Sequence, residues 1–270
     1  MPESPEVFHL TEIIQNNIKN KSLEFIKIIK GRYVTHGPPN NFKEFTKQLP
    51  LKCINIQKKG KVIFIYFENN WCLISKLGMS GWWFFEDDAP EWLPKYENVV
   101  LQFKNIKLIY TDFRNFGTIT FTNDQQIIDY EINKLAPDIT DDKTTFKILL
   151  ERVNNLSISQ QDKLLEDIII DQKLILSGIG NYLKAEILYD AKINPLRKVK
   201  SLDEDEWKQI YNSTKKIIKK MLKALNSDDP YKYMNSMKIY RSKIDPFGNK
   251  IKTHKTKTGR TTYYVPQIQK

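Results

Sequence analysis

Two kinds of hydrophobic spacing alternate along this chain, and their order restricts what it can fold into. Residues 5–20 predict a helix, because their apolar side chains recur at steps of three and four. From about residue 23 to residue 121 the spacing changes to period two or to short apolar runs that glycines interrupt, which is typical of antiparallel strands. The clearest runs are 53–56, 62–67, 71–75, 99–103 and 108–110.

The pattern changes again beyond residues 135–138, where helical spacing predominates. It predicts helices over about 144–153, 160–170, 181–191 and 203–225, the last with Asp203 and Glu206 in an acidic first turn. The final stretch is strand-like again, most clearly at 263–265. The sequence therefore predicts a β-rich domain (1–134), a helical domain (135–237) and a small basic β-hairpin (238–270).

The charge of the chain favours a polyanionic partner. Its 270 residues include 43 Lys and Arg against 32 Asp and Glu, which gives a formal net charge of +11. Such an excess attracts nucleic acid, since neutralising phosphates releases counterions. A lysine-rich proteome would explain the same composition equally well, so charge alone does not decide.

The cysteines and the apolar stretches exclude other classes. Cys53 and Cys72 are too few for a disulfide framework or a four-cysteine zinc site, and both lie in apolar runs where a buried, reduced thiol is expected. The N-terminus lacks the pattern of a signal peptide, and no stretch approaches the ~20 apolar residues of a membrane span. We expect a soluble, intracellular protein.

The N-terminus carries a candidate nucleophile. Removal of the initiator methionine before Pro2 would leave a secondary amine, which can attack an electrophilic carbon and form an iminium. Glu3 follows and can move protons, and Glu6 lies one helical turn later on the same face. The ordinary alternative is that Pro and Glu simply begin a helix.

Three further segments suit contact with DNA. Residues 57–61 place Lys61 beside a glycine turn, although a solvated hairpin would look the same. Residues 77–81 and 111–117 place Met79, Arg114 and Phe116 in loops, where such side chains can wedge into a base stack or can equally be core.

Two glycine-containing segments complete the set. In residues 176–181, glycines at a helix N-terminus can offer backbone N–H groups to an anion, and Asn181 can cap the helix and reach a phosphate. Near the C-terminus, Arg260 follows a glycine on a hairpin tip that is rich in lysine.

These signals occur in one order, and in that order the chain resembles the formamidopyrimidine-DNA glycosylase and endonuclease VIII family over nearly its whole length. The matching strings are MPESPEV, KKGK, KLGMSG, YTDFRNFG, LAPD, LSGIGNYLKAEILYDAKINP and GRTTYYVPQIQ. The resemblance implies an α+β fold of two domains: an N-terminal β-sandwich flanked by helices, and a C-terminal helical domain with a helix–two-turn–helix motif and a finger hairpin. DNA would lie in the cleft between them.

The resemblance also implies roles for the matched residues. Pro2 would attack C1′ of the damaged nucleotide, Glu3 would transfer protons, and Glu6 would be a supporting carboxylate. Lys61 would contact phosphate and assist catalysis, and Arg260 would bind phosphate and promote the second elimination.

The remaining matches would contact the DNA. Asn181 would bind a phosphate, while Met79, Arg114 and Phe116 would fill the gap left by the everted nucleotide. A base must leave the stack before an amine can reach its sugar, and wedge residues lower that cost. A Schiff base then permits β- and δ-elimination without metal or other cofactor. The expected partner is damaged DNA, duplex or single-stranded, bound by a monomer in the nucleus or wherever DNA is repaired.

Two departures from the family pattern bear on the substrate. Phe247, Val265 and Ile268 stand where many members have zinc-binding cysteines, so the finger resembles the zincless kind of the animal endonuclease VIII-like branch, held by apolar packing. The stretch 225–240 is also shorter than the capping loop of enzymes that favour 8-oxoguanine. Both features favour oxidised pyrimidines.

Two other functions stay open. One is a glycosylase that prefers 8-oxoguanine and formamidopyrimidines. The other is a non-catalytic protein that binds damaged DNA, which the joint presence of Pro2, Glu3, Lys61 and Arg260 argues against, because binding alone needs no N-terminal secondary amine.

Overall fold

The computed structural model describes residues 2–92, 95–227 and 236–270. Its internal contacts divide the chain into two compact units. The first consists of residues 1–2 and 7–133, and the second of residues 3–6 and 134–270. The short segment 3–6, which carries Glu3 and Glu6, therefore belongs to the second unit.

The first unit is built on a sheet. Among the described residues, eight strands form one sheet in the order β5-β7-β6-β1-β2-β3-β4-β8. The strands are β1 (Ser22–Ile28), β2 (Leu51–Lys59), β3 (Val62–Phe67), β4 (Cys72–Lys76), β5 (Trp82–Phe85), β6 (Glu97–Phe103), β7 (Ile106–Thr111) and β8 (Thr118–Thr122). The helices are α1 (Ser4–Ile18), α2 (Arg32–Thr35), α3 (Phe42–Thr46) and α4 (Gln125–Asn133).

The sheet folds over at one weak seam. Strands β1 and β2 pair through only Ser22 with Lys52 and Leu23 with Leu51, whereas the other neighbours share longer ladders. The two four-stranded halves thus form the predicted sandwich, with one apolar core between them. Val7, Ile14, Phe45, Leu73 and Phe103 belong to that core.

Most of the predicted strands are confirmed, and three helices, α2, α3 and α4, were missed. The run 62–67 is β3, the runs 53–56, 99–103 and 108–110 lie within β2, β6 and β7, and the run 71–75 overlaps β4 from Cys72 onward. Helix α4 escaped prediction because Ile128 is its one buried residue, which leaves no apolar stripe to recognise. Cys53 and Cys72 are buried, free thiols as expected, and burial raises the pKa of each to about 12.

The second unit is helical and ends in a hairpin. Its helices are α5 (Phe146–Asn154), α6 (Ile158–Gln161), α7 (Leu165–Ile168), α8 (Asn181–Asp190) and α9 (Glu204–Leu225), and its strands are β9 (Lys252–Lys255) and β10 (Thr261–Tyr264). We call β9, β10 and their turn, residues 252–264, the finger hairpin. The α+β class and the helical character of this half are confirmed.

One predicted helix is wrong in its continuity. Residues 160–170 form the end of α6, an extended turn and α7, because Leu164 adopts a β-like conformation. The N–H groups of Leu165 and Glu166 bond to the carbonyls of Arg197 and Pro195 instead of to the preceding turn. Helix α9 begins as predicted, with Asp203 and Glu206 forming a capping box.

Two of the three residues predicted to replace the cysteines by apolar packing do pack on α8, and both follow the finger hairpin in the chain. Val265 is fully buried and Ile268 partly so, in a cluster with Ala185 and Tyr189 of α8. Phe247 is the exception, since 77% of its surface is exposed.

A buried carboxylate organises the loop that contains Phe247. The Asp245 carboxylate accepts the N–H groups of Phe247 and Asn249 at 2.9 and 2.7 Å and the Tyr189 hydroxyl at 2.9 Å. These bonds stabilise the turn without the help of the Phe247 ring.

The described residues contain neither a membrane-spanning helix nor a cluster of metal-binding side chains. None of the helices there is both long and apolar enough to cross a membrane. Within the same ranges, no three side chains of the His, Cys, Asp or Glu type are grouped as a metal ion would require.

Candidate active site

The Glu3 side chain is bound by the N-terminal end of α8. One carboxylate oxygen accepts the N–H groups of Gly180 at 2.7 Å and Leu183 at 3.1 Å, and the other accepts that of Tyr182 at 2.9 Å. Glu3 is 1% exposed. The free N–H groups and the dipole of a helix start stabilise a negative charge, so this arrangement fixes the carboxylate.

Two glycines make room for this contact. A Cβ atom on Gly180 would lie 2.3 Å from Cδ of Glu3, so only glycine permits the carboxylate to approach. Gly178 has a φ of 104°, and its Cβ would lie 2.6 Å from that of Ser4. Its carbonyl accepts the Ser4 N–H at 3.0 Å, which anchors the residue after Glu3.

The prediction for residues 176–181 is therefore partly wrong. Backbone N–H groups there do bind an anion, but that anion is Glu3 of the same chain, not an external phosphate. Asn181 does not cap α8 either: it is the first helical residue, and Gly180 is the cap. The Asn181 side chain instead donates to the Thr261 carbonyl at 2.7 Å.

Glu6 lies beside Glu3 and holds a proton more tightly than an ordinary carboxyl. One of its oxygens accepts the Tyr182 hydroxyl at 2.7 Å and the Glu3 N–H at 3.2 Å. Burial, and then the negative charge of Glu3, raise the pKa of Glu6 to about 8 against the opposing effect of Tyr182. Near neutral pH the Glu6 carboxyl is thus protonated beside the hydrogen-bonded side chain of Glu3.

Pro2 and Lys61 belong to the first unit. Pro2 is half-buried and directly precedes Glu3. Met1, whose removal would free the Pro2 amine, lies outside the described residues. Lys61 is half-buried and follows Gly60, whose φ of 58° forms the tight turn between β2 and β3. The predicted lysine beside a glycine turn is therefore present.

Arg260 lies at the exposed tip of the finger hairpin. Its N–H donates to the Thr256 hydroxyl at 3.1 Å, and its carbonyl accepts the Thr256 N–H at 2.8 Å. Gly259 precedes it with a φ of 77°, which a tight turn requires. Since Thr261 is bonded to Asn181, two of the predicted site residues are connected through one residue of β10.

The loops with the predicted wedge residues lie against each other in the first unit. A Cβ on Gly78 would lie 2.7 Å from the Gly117 nitrogen, so the backbones touch there. Asp112 holds both loops: its carboxylate accepts the Ser80 hydroxyl and, at 2.6 Å, the Gly117 N–H. Met79 is thereby placed close to residues 112–117.

The wedge candidates are on the surface, as intercalation requires. Met79 is 41% and Phe116 56% exposed, although large apolar side chains are usually buried. The Arg114 guanidinium lies 4.9 Å from the centre of the Phe116 ring. Phe113, which sequence reasoning did not single out, is 61% exposed in the same loop.

Other residues at this site were also missed. Tyr182 and Lys184 lie in the string LSGIGNYLKAEILYDAKINP, but the sequence predicts no role for them, because a string does not show which distant residue each side chain contacts. Asp138 closes the string LAPD, and its carboxylate accepts the Ser4 hydroxyl at 3.3 Å and the Thr140 N–H at 2.9 Å. That Asp therefore supports the residue after Glu3.

Comparisons with known proteins agree over the whole chain. Family models of the formamidopyrimidine-DNA glycosylase N-terminal, H2TH and C-terminal domains match residues 1–119, 135–229 and 228–270. A formamidopyrimidine-DNA glycosylase of Listeria monocytogenes is 27% identical, and the match covers all of both chains.

Solved structures give the same result. A complex of Lactococcus lactis Fpg with DNA containing an abasic site has a TM-score of 0.83 at 25% identity, over 99% of each chain. A complex of the same enzyme with DNA containing an oxidised pyrimidine has the same score and identity, over all of both chains.

Proposed function

This chain belongs to the formamidopyrimidine-DNA glycosylase family and is a DNA glycosylase with abasic-site lyase activity, and we propose that it removes oxidised pyrimidines through a Schiff base on Pro2. The observation that carries the proposal is the fixed Glu3 carboxylate next to a residue whose free amine would be secondary. A nucleophile and, next in the chain, a proton acceptor are the two kinds of group that covalent catalysis requires.

The chemistry follows from these groups. The Pro2 nitrogen bonds to C1′ of the flipped nucleotide as the bond from C1′ to the base breaks, and the base leaves with a proton. Glu3 takes part in the proton transfers that open the sugar to an iminium. The protonated Glu6 supports Glu3, because a second negative charge at that position would repel the charge of the Glu3 carboxylate.

Strand cleavage uses the same iminium. It acidifies the C2′–H, so loss of that proton expels the 3′ phosphate, and loss of the C4′–H then expels the 5′ phosphate. Arg260, exposed on the finger hairpin, would bind the phosphate and favour the second step. Lys61 and Asn181 would bind the backbone, and Met79, Arg114 and Phe116 would occupy the gap in the stack.

Borohydride trapping on abasic DNA, with mass spectrometry of the trapped peptide, tests the nucleophile. We expect an adduct on Pro2. A matched control is one preparation carrying a cleavable N-terminal extension, assayed before and after its removal. Trapping should appear only after removal, because the extension converts the amine to an unreactive amide. Equal trapping in both samples would exclude Pro2.

The preference for pyrimidines rests on two features. Val265 and Ile268 pack where many members have cysteines, as in the animal endonuclease VIII-like branch. The second is the short stretch 225–240, of which residues 228–235 lie outside the described residues.

The name of the Listeria relative favours formamidopyrimidines as the alternative substrate, and a similar structure, of MutM, holds DNA that contains carbocyclic 8-oxo-G. Single-turnover excision of thymine glycol and of 8-oxoguanine from otherwise identical duplexes decides between them. Faster release of 8-oxoguanine would overturn the preference.

We further propose three functional segments, 1–134, 135–237 and 238–270, in a monomer that acts on duplex or single-stranded DNA wherever DNA is repaired. Sedimentation of the protein with a lesion duplex tests the stoichiometry, and a 2:1 complex would contradict it.

A further inference from the structure

Helix α8 carries a buried lysine that the chemistry above does not use. Lys184 is 0% exposed. Its burial lowers its pKa to about 8, an effect that Glu166 opposes and Arg260 increases. Burying an ammonium group lowers the stability of the fold unless the group is paired, so we expect the contacts of Lys184 to serve the fold or the reaction.

The lysine bonds to the strand that follows Arg260. Its ammonium donates to the Thr262 hydroxyl at 2.6 Å, and Thr262 is itself 1% exposed. One helical turn earlier, the Asn181 side chain donates to the carbonyl of Thr261. Two successive residues of β10 are thereby tied to two successive turns of α8.

A buried carboxylate bonds to the other strand of the hairpin, and its charge favours the ammonium form of Lys184. Glu166 of α7 is fully buried, and one of its oxygens lies 2.8 Å from Nδ1 of His254 in β9. Its other oxygen has no hydrogen-bond partner among the described residues. Because His254 pairs with Thr262 across the hairpin, both strands are held at the same level.

Arg260 depends on this attachment. Its backbone bonds within the hairpin are both to Thr256, and its side chain is exposed beside a cavity of about 560 Å³ that Lys163, Lys173 and Lys257 also line. Its direction is therefore determined by the start of β10, two residues before Thr262. Among the described residues, the Arg260 side chain has no hydrogen bond or ion pair that would fix it as firmly.

We infer that Lys184 is a positioning residue for Arg260, because its buried ammonium, bonded to Thr262, fixes the strand that presents the arginine to phosphate. The inference rests on the proposed function, in which Arg260 favours the second elimination. It assigns Lys184 no contact with the substrate.

The test uses the full chain with Thr262→Val, which removes the acceptor, and Thr262→Ser, which keeps it. Lys184→Met removes the donor, and Lys208→Met is its exposed counterpart on α9. We measure Pro2 trapping, the ratio of δ- to β-elimination product, and the salt dependence of binding to duplexes with a stable abasic analogue.

We expect Thr262→Val and Lys184→Met to lower the δ-to-β ratio about tenfold, which corresponds to about 1.4 kcal/mol of transition-state stabilisation. Trapping should change less than about twofold, and Thr262→Ser and Lys208→Met should behave like the natural chain. Binding should lose about one unit of salt slope, as expected for one lost phosphate contact.

The double variant Lys184→Met with Arg260→Ala separates positioning from general destabilisation. If Lys184 acts through Arg260, the double variant should show no larger loss than Arg260→Ala alone. Additive losses, or a natural δ-to-β ratio in a folded Thr262→Val, would overturn the inference. If the natural chain bound the analogue but gave no adduct, the proposed mechanism would fail, and the salt slopes would still decide the role of Lys184.

Discussion

Gly180→Ala should expel the Glu3 carboxylate from the end of α8. The three heavy atoms nearest to the added Cβ all belong to the Glu3 side chain, at 2.3, 2.4 and 2.7 Å. No real Cβ tolerates such distances, so the carboxylate has to move. If two of its three bonds to the backbone are lost, at about 1.5 kcal/mol each, the variant loses about 3 kcal/mol of unfolding free energy.

A double-mutant cycle isolates this contact. In a Glu3→Ala background the atoms that meet the new Cβ are absent, and Gly180 has a negative φ of −124°, so alanine there is unstrained. Gly180→Ala should then cost less than about 1 kcal/mol. The assay is urea unfolding at neutral pH, with identical conditions for all four proteins.

A second glycine serves as control for the method. A Cβ on Gly248 would meet nothing within 4 Å, but its φ of 87° is strained for alanine. Gly248→Ala should cost about 1 kcal/mol in both backgrounds. If Gly180→Ala cost the same with and without the Glu3 side chain, the contact described here would not be what requires glycine.

Three further predictions follow from the site. Glu6→Gln should gain at least ~1 kcal/mol of stability relative to the natural chain as pH rises from 5 to 8, and nothing more above pH 9. The neutral Glu6 carboxyl stabilises the fold fully below its unfolded pKa of 4.5, and this contribution is lost as pH rises through about 8, whereas glutamine does not titrate. Melting curves recorded at several pH values test this, and a difference that does not change with pH would contradict it. Phe116→Ala should slow excision from duplex DNA about tenfold or more but from single-stranded DNA much less, since only the duplex loses stacking when the base flips. Phe25→Ala is the matched control, because Phe25 is 52% exposed on β1, and equal losses on both substrates would refute the wedge role of Phe116. Incubation with a zinc chelator should leave cleavage unchanged, and a loss that zinc restores would show that the finger hairpin needs metal.

The sequence predicts the layers of the fold well, because burial imposes its periodicity on the chain. The apolar run at 62–67 and the amphipathic spacing in 203–225 correspond to β3 and α9. Prediction failed where burial gives no such signal. Helix α4 has too few buried residues, and residues 160–170 are apolar enough for one helix although Leu164 interrupts it.

The site could be predicted only as a set of residue types. The strings identify Glu3, Gly180 and Asn181 separately, but the bond between Glu3 and Gly180 joins residues 177 positions apart. The sequence around either residue gives no sign of this bond. The same holds for Lys184, whose acceptor Thr262 lies 78 positions later.

The occupied end of α8 also changes how phosphate must be bound. A helix start usually attracts an external anion, and the glycines of residues 176–181 favoured that interpretation. Since Glu3 already supplies the negative charge there, a phosphate at the same place would be repelled by it. Phosphates are then left to side chains, which Arg260, exposed at the tip of the finger hairpin, and the net charge of +11 can provide. The tie between Lys184 and β10 matters for the same reason, because a side chain on a hairpin tip has a fixed direction only if its strand is held.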